Sequence, residues 1–151
     1  MGADKILQPT EHGTAHVTEA GPPGIAVQVS AGGHTLIADE PIGQGGNNTG
    51  PAPYDLLLAA LGACTAMTVR MYANHKQWPL THVEVFLTHE KVSVEGEEGQ
   101  PKHKQDVIAK SVRVEGDLSA EQRERLRDVA NKCPVHRTLQ STISLETRLA
   151  D

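Results

Sequence analysis

The two cysteines, Cys64 and Cys133, are the residues best suited to chemistry in this 151-residue sequence. Cys64 lies within a long apolar segment, whereas Cys133 begins the run CPVHRTL. Thiol chemistry follows the thiolate, whose population rises at a helix N-terminus or beside a cation and falls in apolar surroundings. The contrast predicts an attacking thiol and a resolving thiol. A cysteine in an apolar helix is more commonly a small core residue, so that alternative stays open for Cys64.

Cys133 has the more activating local sequence. Pro134 fits the first position of a helical turn, which would make Cys133 the N-cap, where unpaired backbone N–H groups favour an anion. His136 and Arg137 would add positive charge one turn later, and we expect these effects to lower the pKa of the thiol. Cys-x-x-His is also half of a zinc site. The other histidines show no ligand spacing, so we expect no metal.

Composition and charge exclude several classes of function. The formal net charge is -5 and 22% of the residues are charged, which disfavours nucleic acid as a partner. The N-terminus has no apolar core of a secretory signal. Thr65, Thr68 and Arg70 interrupt the apolar segment around Cys64, which we therefore expect to fall short of a membrane span. We expect a cytoplasmic protein, in which two cysteines are more often redox-active or free than structurally bridged.

The first third of the chain reads as a small antiparallel sheet followed by a loop. Alternation of apolar and polar residues predicts three strands, at residues 16–19, 25–30 and 34–38, with a turn at the sequence GPPG between the first two. We expect residues 1–13 to be a loosely ordered lead-in. Residues 39–52 are rich in Gly, Pro and Asn, which predicts a long loop.

A long helix should follow, over residues 53–77. Pro53 suits its first position, and Trp78 with Pro79 should end it. The first half is apolar on nearly every face, which predicts burial on all sides, in a core or against a partner subunit. Asp55 lies in the first turn, where a carboxylate favours the helix dipole whether or not it has a catalytic role.

The second half of the chain predicts a hairpin, a helix and a last strand. Residues 82–94 form a long strand, or two strands joined by a bulge, because the apolar parity shifts between Leu87 and Val92. An exposed loop over residues 95–104 leads to a returning strand at 107–116. Ser119 and Gln122 form a capping box that begins a helix with Cys133 on its buried side. Residues 142–149 are predicted to be a final strand.

This order of elements defines an α+β fold with an antiparallel sheet, a long buried central helix and a second helix. By length we expect a single domain over residues 1–151. A helix this apolar in so small a domain favours burial across a dimer interface.

Two motifs resemble one known family. GPAPYDLLLAALGAC at residues 50–64 is similar to the first-cysteine helix of the OsmC/Ohr superfamily, named for osmotically inducible protein C and the organic hydroperoxide resistance protein. CPVH at residues 133–136 resembles its second-cysteine motif, and the cysteine spacing fits as well. The order of elements is also the family's, so the resemblance covers essentially the whole chain. The sequences MYA, WPL and CPVHRTL look most like the YhfA-type branch.

The resemblance implies a fold, an activity and an assembly. It implies an intertwined homodimer with active sites at the subunit interface, and a thiol peroxidase that reduces organic hydroperoxides. Cys64 would attack the peroxide and become a sulfenic acid, and Cys133 would condense with it to a disulfide. An external lipoyl-type dithiol or a small thiol would reduce the pair, and no cofactor or metal is needed.

The sequence departs from the family at the groups that activate the first cysteine. Peroxidases of the superfamily place an arginine in the early strands and a glutamate ten residues before that cysteine. Here no arginine precedes Arg70, Tyr54 occupies the glutamate position, and Asp55 follows one residue later, about 100° around the helix. His136, Arg137 and Arg70 are the candidate cations. A non-enzymatic binding protein or a slow thiol redox sensor therefore remains the alternative to a peroxidase.

Overall fold

The computed structural model describes residues 11–150, and these form five strands and three α-helices. Their order is β1 (Ala15–Glu19), β2 (Val27–Ala31), β3 (His34–Ala38), α1 (Pro53–His75), β4 (Leu80–Val94), β5 (His103–Gly116), α2 (Ala120–Ala130) and α3 (Pro134–Leu139). The α+β class with antiparallel strands is confirmed. Residues 1–10, which make up most of the predicted lead-in, lie outside the described residues.

The chain divides into two units, Met1–Leu57 and Leu58–Asp151, with the boundary inside α1. The single domain expected from length stays a prediction. Each unit is described separately below.

The first unit contains a three-stranded antiparallel sheet in the order β1-β2-β3. Its registers pair Val17 with Val29, and Val29 with Leu36. All three predicted strands are present, although β2 begins at Val27 rather than two residues earlier. The predicted loop follows β3 and contains one short 3-10 turn, Ile42–Gln44.

The loop after β3 is organised around the buried carboxylate of Asp39. Oδ1 accepts the backbone N–H of Glu40 at 2.8 Å. Oδ2 accepts the backbone N–H groups of Asn47 at 3.0 Å and Thr49 at 3.2 Å, and the Thr49 hydroxyl at 2.8 Å. At Gly46 a Cβ would lie 1.9 Å from the Glu40 carbonyl oxygen, so only glycine lets the loop close this tightly.

Helix α1 runs from Pro53 to His75, close to the predicted bounds. It ends because Gln77 adopts a left-handed conformation, with φ 55°, which cannot continue a right-handed helix. Beyond the boundary between the units, α1 buries one stripe of side chains. Its members recur at every fourth residue, as one face of an α-helix requires: Leu61, Thr65, Val69 and Ala73.

In one chain α1 is not covered on all sides, and the predicted burial against a partner subunit stays a prediction. Met67 is 64% exposed and Met71 is 70% exposed, because the second unit covers only the stripe described above. By length and composition alone, α1 is long and apolar enough to cross a membrane. The expectation that its polar residues make it fall short of a span is therefore wrong. A core helix of a soluble protein passes the same test, and α1 contributes Val69 and Ala73 to the core.

The second unit contains a long antiparallel hairpin formed by β4 and β5. The pairing is regular from His82 to Val94, and the irregularity falls between Leu80 and His82. The bulge considered between Leu87 and Val92 is therefore absent, and β4 is one strand. Because successive side chains alternate between faces, Val83, Val112 and Val114 lie on the face that packs against the core.

The core of the second unit joins α1, β4 and α2. Its buried members are Val69, Ala73, Leu80, Leu126, Val129 and Ala130. The predicted capping box is confirmed, since the Ser119 hydroxyl accepts the Gln122 N–H at 3.1 Å and the Gln122 side chain accepts the Ser119 N–H at 2.9 Å. This cap fixes the start of α2. The end of α2 lies three residues before Cys133, so the helix also positions the segment that leads to the cysteine.

The prediction of a final strand over residues 142–149 is wrong, because the structure forms no strand there. These residues have no regular secondary structure. Leu145 is 88% exposed and Leu149 is 97% exposed. The segment alternates apolar and polar residues as a strand does, but none of the described strands pairs with it, so the pattern alone does not form a ladder.

Candidate active site

Cys133 is the buried centre of the site. It has no exposed surface and is the N-cap of α3, with Pro134 in the first helical turn, as the sequence predicts. Its extended backbone turns the sulfur back over α3, where Sγ accepts the His136 backbone N–H at 3.4 Å. Its position as cap thus fixes the sulfur toward the interior of the second unit.

Two neighbouring residues of α1, Thr65 and Cys64, lie beside Cys133. The Thr65 hydroxyl, which is fully buried, lies 3.5 Å from Sγ. Cys64, one residue earlier on α1, lies near enough to lower the pKa of Cys133. Cys64 is partly exposed and both thiols are free. The structure therefore brings together two cysteines that are 69 positions apart in sequence (133 − 64).

Gly62 helps α1 to reach this position. A Cβ at Gly62 would lie 2.7 Å from Cδ1 of Leu87 on β4, closer than two carbon atoms approach without repulsion. The missing side chain allows the cysteine-bearing turn of α1 to pack tightly onto the hairpin.

Lys110 supplies the positive charge of the site. It lies on β5 opposite Leu87 and shares a strand face with Val112 and Val114. Its ammonium group donates to the Ala130 carbonyl at 2.6 Å and to Thr65 Oγ1 at 3.2 Å. It also lies 3.0 Å from Nδ1 of His136. The lysine therefore connects β5, α1, α2 and α3 around the sulfurs.

The electrostatics of the site favour a thiolate at Cys133. Burial raises the pKa of this thiol, but the hydrogen bonds with Thr65 and the His136 N–H, the neighbouring Cys64 and the charge of Lys110 together outweigh it, and the pKa is lowered overall. Burial lowers the pKa of Lys110, while the charges of Cys133 and Cys64 raise it. Burial, and then repulsion from Lys110, lower the pKa of His136, so the imidazole is neutral at neutral pH.

Of the cations proposed from sequence, the structure places only one beside Cys133. His136 is in the site, but it acts through its backbone N–H and a neutral ring rather than as a cation. Arg137 is exposed and is not among the groups that shift the pKa of Cys133. Arg70 donates to the Leu80 carbonyl instead.

Tyr54 and Asp55 belong to the first unit. The Asp55 carboxylate accepts the Ala52 N–H at 3.0 Å, which is a capping role at the start of α1. Tyr54 is exposed on the same turn. Their part in catalysis stays a prediction.

Sequence reasoning missed Lys110 and Thr65, although both left a signal. Ile108, Lys110, Val112 and Val114 alternate along β5, so the lysine occupies an inward position of a half-buried strand. Thr65 lies on the stripe of α1 that repeats at every fourth residue. A polar residue at an inward-facing position of each element needs a partner when buried, and here they are each other's partners.

Metal chemistry has no preformed ligand set in the described residues. Within residues 11–150, no group of three or more His, Cys, Asp or Glu side chains is arranged to hold an ion.

The comparisons place the chain in a family. A family model described as OsmC-like protein matches residues 45–148, more than half of the chain, and the chain therefore belongs to the OsmC-like protein family. A search of curated proteins found no match. The closer resemblance to the YhfA-type branch stays a prediction.

Solved structures share the fold. An OsmC-like protein from Mycoplasma pneumoniae is 21% identical, with a TM-score of 0.63 over 84% of this chain and 84% of that chain. An organic hydroperoxide resistance protein OsmC from Legionella pneumophila is 22% identical, with a TM-score of 0.58 over 84% and 88%. The organic hydroperoxide resistance protein OhrB of Bacillus subtilis is 19% identical, with a TM-score of 0.52 over 84% and 90%.

Proposed function

We propose that the protein is a thiol-dependent peroxidase that reduces organic hydroperoxides through Cys64 and Cys133. The observation that carries this proposal is the buried Cys133 sulfur, which contacts Thr65 and the His136 N–H beside the Lys110 ammonium group, with Cys64 next to Thr65 on α1. A cysteine that serves only to fill a core has no use for two hydrogen-bonding groups and a nearby cation, because each of them costs free energy to bury.

The exposures of the two thiols support the division of roles. Cys64 is partly exposed and Cys133 is buried, so a peroxide from solvent meets Cys64 first. Cys64 attacks the peroxide and becomes a sulfenic acid, and Cys133 then attacks the Cys64 sulfur to form a disulfide. Hydrogen peroxide is a second substrate, which we expect to react more slowly than an organic peroxide.

The comparisons support the substrate class. The chain belongs to the OsmC-like family, and two structures that share its fold are named for organic hydroperoxide resistance. The partly apolar approach to Cys64, through Ala63 and Met67 on exposed positions of α1, would suit a peroxide with a hydrocarbon group.

The remaining features of the proposal concern partners. An external dithiol of lipoyl type, or a small thiol, reduces the disulfide, and no cofactor or metal takes part. We place the reaction in the cytoplasm, where such reductants are maintained.

A homodimer is part of the same proposal. Met67 and Met71 on α1 and Phe86 on β4 are large apolar side chains that remain mostly exposed in one chain. A second copy of the chain would cover such surface, as expected for the apolar core of a dimer interface. Sedimentation at micromolar concentration should give twice the mass of the chain; a monomer at that concentration contradicts this part of the proposal.

The alternative, a binding protein or slow redox sensor, was based on the missing family arginine. Lys110 weakens that argument because it supplies a cation to the pocket by another route. The two functions differ in turnover, so kinetics separate them.

The test compares peroxide consumption in three proteins under a dithiol reductant such as dihydrolipoamide. The wild type should turn over cumene hydroperoxide repeatedly, and faster than hydrogen peroxide. Cys64→Ser should consume none, and Cys133→Ser should react once and retain an oxidised Cys64. If the wild type loses its thiols slowly and does not turn over, the peroxidase is rejected; equal partial losses in both variants contradict the assigned roles.

A further inference from the structure

A groove of about 340 Å³ lies between β5 and α2 in the second unit. Of the residues that line it, three are cations and none is an acid, although the chain as a whole has a formal net charge of -5. Its volume is at the lower end of the range for small-molecule sites. We call it the β5–α2 groove, and its walls are formed by Lys110, Val112, Val114, Arg123, Arg127 and Ala130, with Asn131 after the end of α2.

The periodicities of the two elements bring these side chains to one place. Lys110, Val112 and Val114 alternate along β5 and therefore share one face of the strand. Arg123 and Arg127 are four positions apart on α2, which places them on one face of the helix. Val112 and Val114 pack against the buried core, whereas the two arginines are exposed. The groove thus has a fixed apolar floor and a charged rim.

Arg123 is held in place by the strand rather than by an acid. Its guanidinium group donates to the Val114 carbonyl at 2.8 Å and to the Gly116 carbonyl at 3.0 Å. A guanidinium group has five N–H donors, and the hydrogen bonds formed within residues 11–150 use two of them. Because the two carbonyls already fix the side chain, an anion that binds to Arg123 costs little further side-chain entropy.

The charges of Lys110 and Arg123 are not neutralised by a carboxylate. No ion pair in the described part of the chain involves either of them, whereas Arg127 pairs with Glu124 at 2.9 Å and with Asp128 at 3.4 Å. The acceptors around Lys110 are a hydroxyl oxygen, a carbonyl oxygen and an imidazole nitrogen. These bonds use the three N–H donors of the ammonium group, so Lys110 contributes its charge to the groove, and Arg123 contributes both charge and hydrogen bonds.

We propose that the β5–α2 groove binds a small organic acid, with the carboxylate at Arg123 and the hydrocarbon chain on Val112 and Val114. A guanidinium group matches a carboxylate in geometry and forms two parallel hydrogen bonds with it. An inorganic anion would leave the apolar floor in contact with water, and an uncharged ligand would leave the guanidinium donors without a charged acceptor. Neither cysteine lines the groove, so this binding site does not depend on the proposed function.

Calorimetric titration of the reduced full-length protein, at constant ionic strength, compares three probes. Octanoate has the carboxylate and the chain, octanamide has the chain without the charge, and acetate has the charge with almost no chain. The wild type should bind octanoate at millimolar concentration or below, and should bind each of the other two about ten-fold more weakly or worse, because each lacks one of the two interactions. Equal binding of octanoate and either of the other probes, or no binding of octanoate, overturns the proposal.

Two matched variants on α2 locate the binding site. Arg123→Gln should weaken octanoate binding by about ten-fold or more, because it removes the fixed guanidinium group. Arg125→Gln removes the same charge from the same helix, but Arg125 bonds to the Tyr72 hydroxyl at 2.9 Å and does not line the groove, so binding should change by less than about two-fold. Equal losses in the two variants refute the assignment.

A further variant covers the case in which Arg123→Gln does not fold, as judged by circular dichroism. Asn131 is an exposed residue that lines the groove. Asn131→Asp keeps the shape of the side chain and adds a negative charge, which should repel the carboxylate and weaken octanoate binding. Unchanged binding in a folded Asn131→Asp protein overturns the proposal.

Discussion

The protein surrounds an acidic group with hydrogen bonds in two places, and it does so in two different ways. In the first unit, the Asp39 carboxylate accepts four hydrogen bonds, all from residues that follow it within ten positions. In the second unit, the Cys133 sulfur is surrounded by groups from α1, β5 and α3. The first set of donors is local in sequence, and the second exists only when three elements pack together.

The chemistry of the two acidic groups explains why the difference matters. The hydrogen bonds from Thr49 lower the pKa of Asp39, a group already ionised at neutral pH, so the donors serve to fold the loop. A thiol is mostly protonated at neutral pH, so donors that lower its pKa change its reactivity. Hydrogen bonds that lower the pKa of an acidic group are structural in the first unit and, in our proposal, catalytic in the second.

The largest effect should come from removing the charge in the second unit. We expect Lys110→Met to slow disulfide formation in the first turnover with cumene hydroperoxide by up to about ten-fold at neutral pH, because losing the cation raises the pKa of Cys133 and reduces the thiolate that attacks the oxidised Cys64. Rapid-mixing measurement of the first turnover isolates this step from reduction. Lys110→Arg is the matched control and should lose less. An unchanged rate in a folded Lys110→Met protein would break the comparison, since the pocket would then resemble the Asp39 loop in being structural only.

The next effect should be on stability, in the first unit. Asp39→Asn places an amide N–H₂ where the loop presents backbone donors, so we expect a clear fall in Tm, with no change in the thiolate titration of the second unit. Thr49→Val removes only the hydroxyl donor at 2.8 Å and should lower Tm by less. Both are measured by thermal unfolding of the reduced protein. A Tm equal to that of the wild type in Asp39→Asn would show that the carboxylate does not organise the loop.

A smaller effect should follow from cutting the connection between Lys110 and Cys133. Thr65→Val keeps the shape of the side chain and removes its hydroxyl, so the thiolate loses one hydrogen bond. One such bond contributes about 1 kcal/mol, which corresponds to a roughly five-fold slower first turnover. Thr65→Ser, which keeps the hydroxyl, should stay close to the wild type. If valine and serine behave alike, the hydroxyl is not the link.

The smallest effect should be a pH dependence of folding. The pKa of Cys133 is lowered on folding from an ordinary value of 9.0. The unfolded chain therefore binds more protons between these two pKa values, and the free energy of unfolding of the reduced protein should rise with pH across that interval. This contribution is complete above the ordinary value and is lost as pH falls through the lowered one. Urea unfolding at several pH values, with Cys133→Ser subtracted, measures it; a difference that falls with rising pH gives the wrong sign.

Local features of the fold were readable from the sequence. Pro134 predicted that Cys133 caps a helix, Ser119 with Gln122 predicted the start of α2, and the period-two pattern located β1 to β3. Each depends on residues a few positions apart, for which the geometry is nearly independent of the rest of the chain.

The parts that sequence did not predict depend on distant contacts. Lys110 was missed because its three acceptors come from α1, α2 and α3, and no local pattern identifies them. The strand expected at residues 142–149 failed because a strand needs a neighbour as well as alternation. In one chain Met67 and Met71 on α1 stay exposed, because an apolar pattern does not say whether the same chain or a partner subunit covers the helix.

Disulfide mapping after one equivalent of peroxide tests the central claim most directly. The reduced protein is treated with one equivalent of cumene hydroperoxide per chain, digested without reductant and analysed by mass spectrometry. The account predicts that both thiols disappear together and that the peptides containing Cys64 and Cys133 are joined within one chain. Recovery of both peptides as free thiols, or of Cys64 linked to any partner other than Cys133 of the same chain, would contradict it.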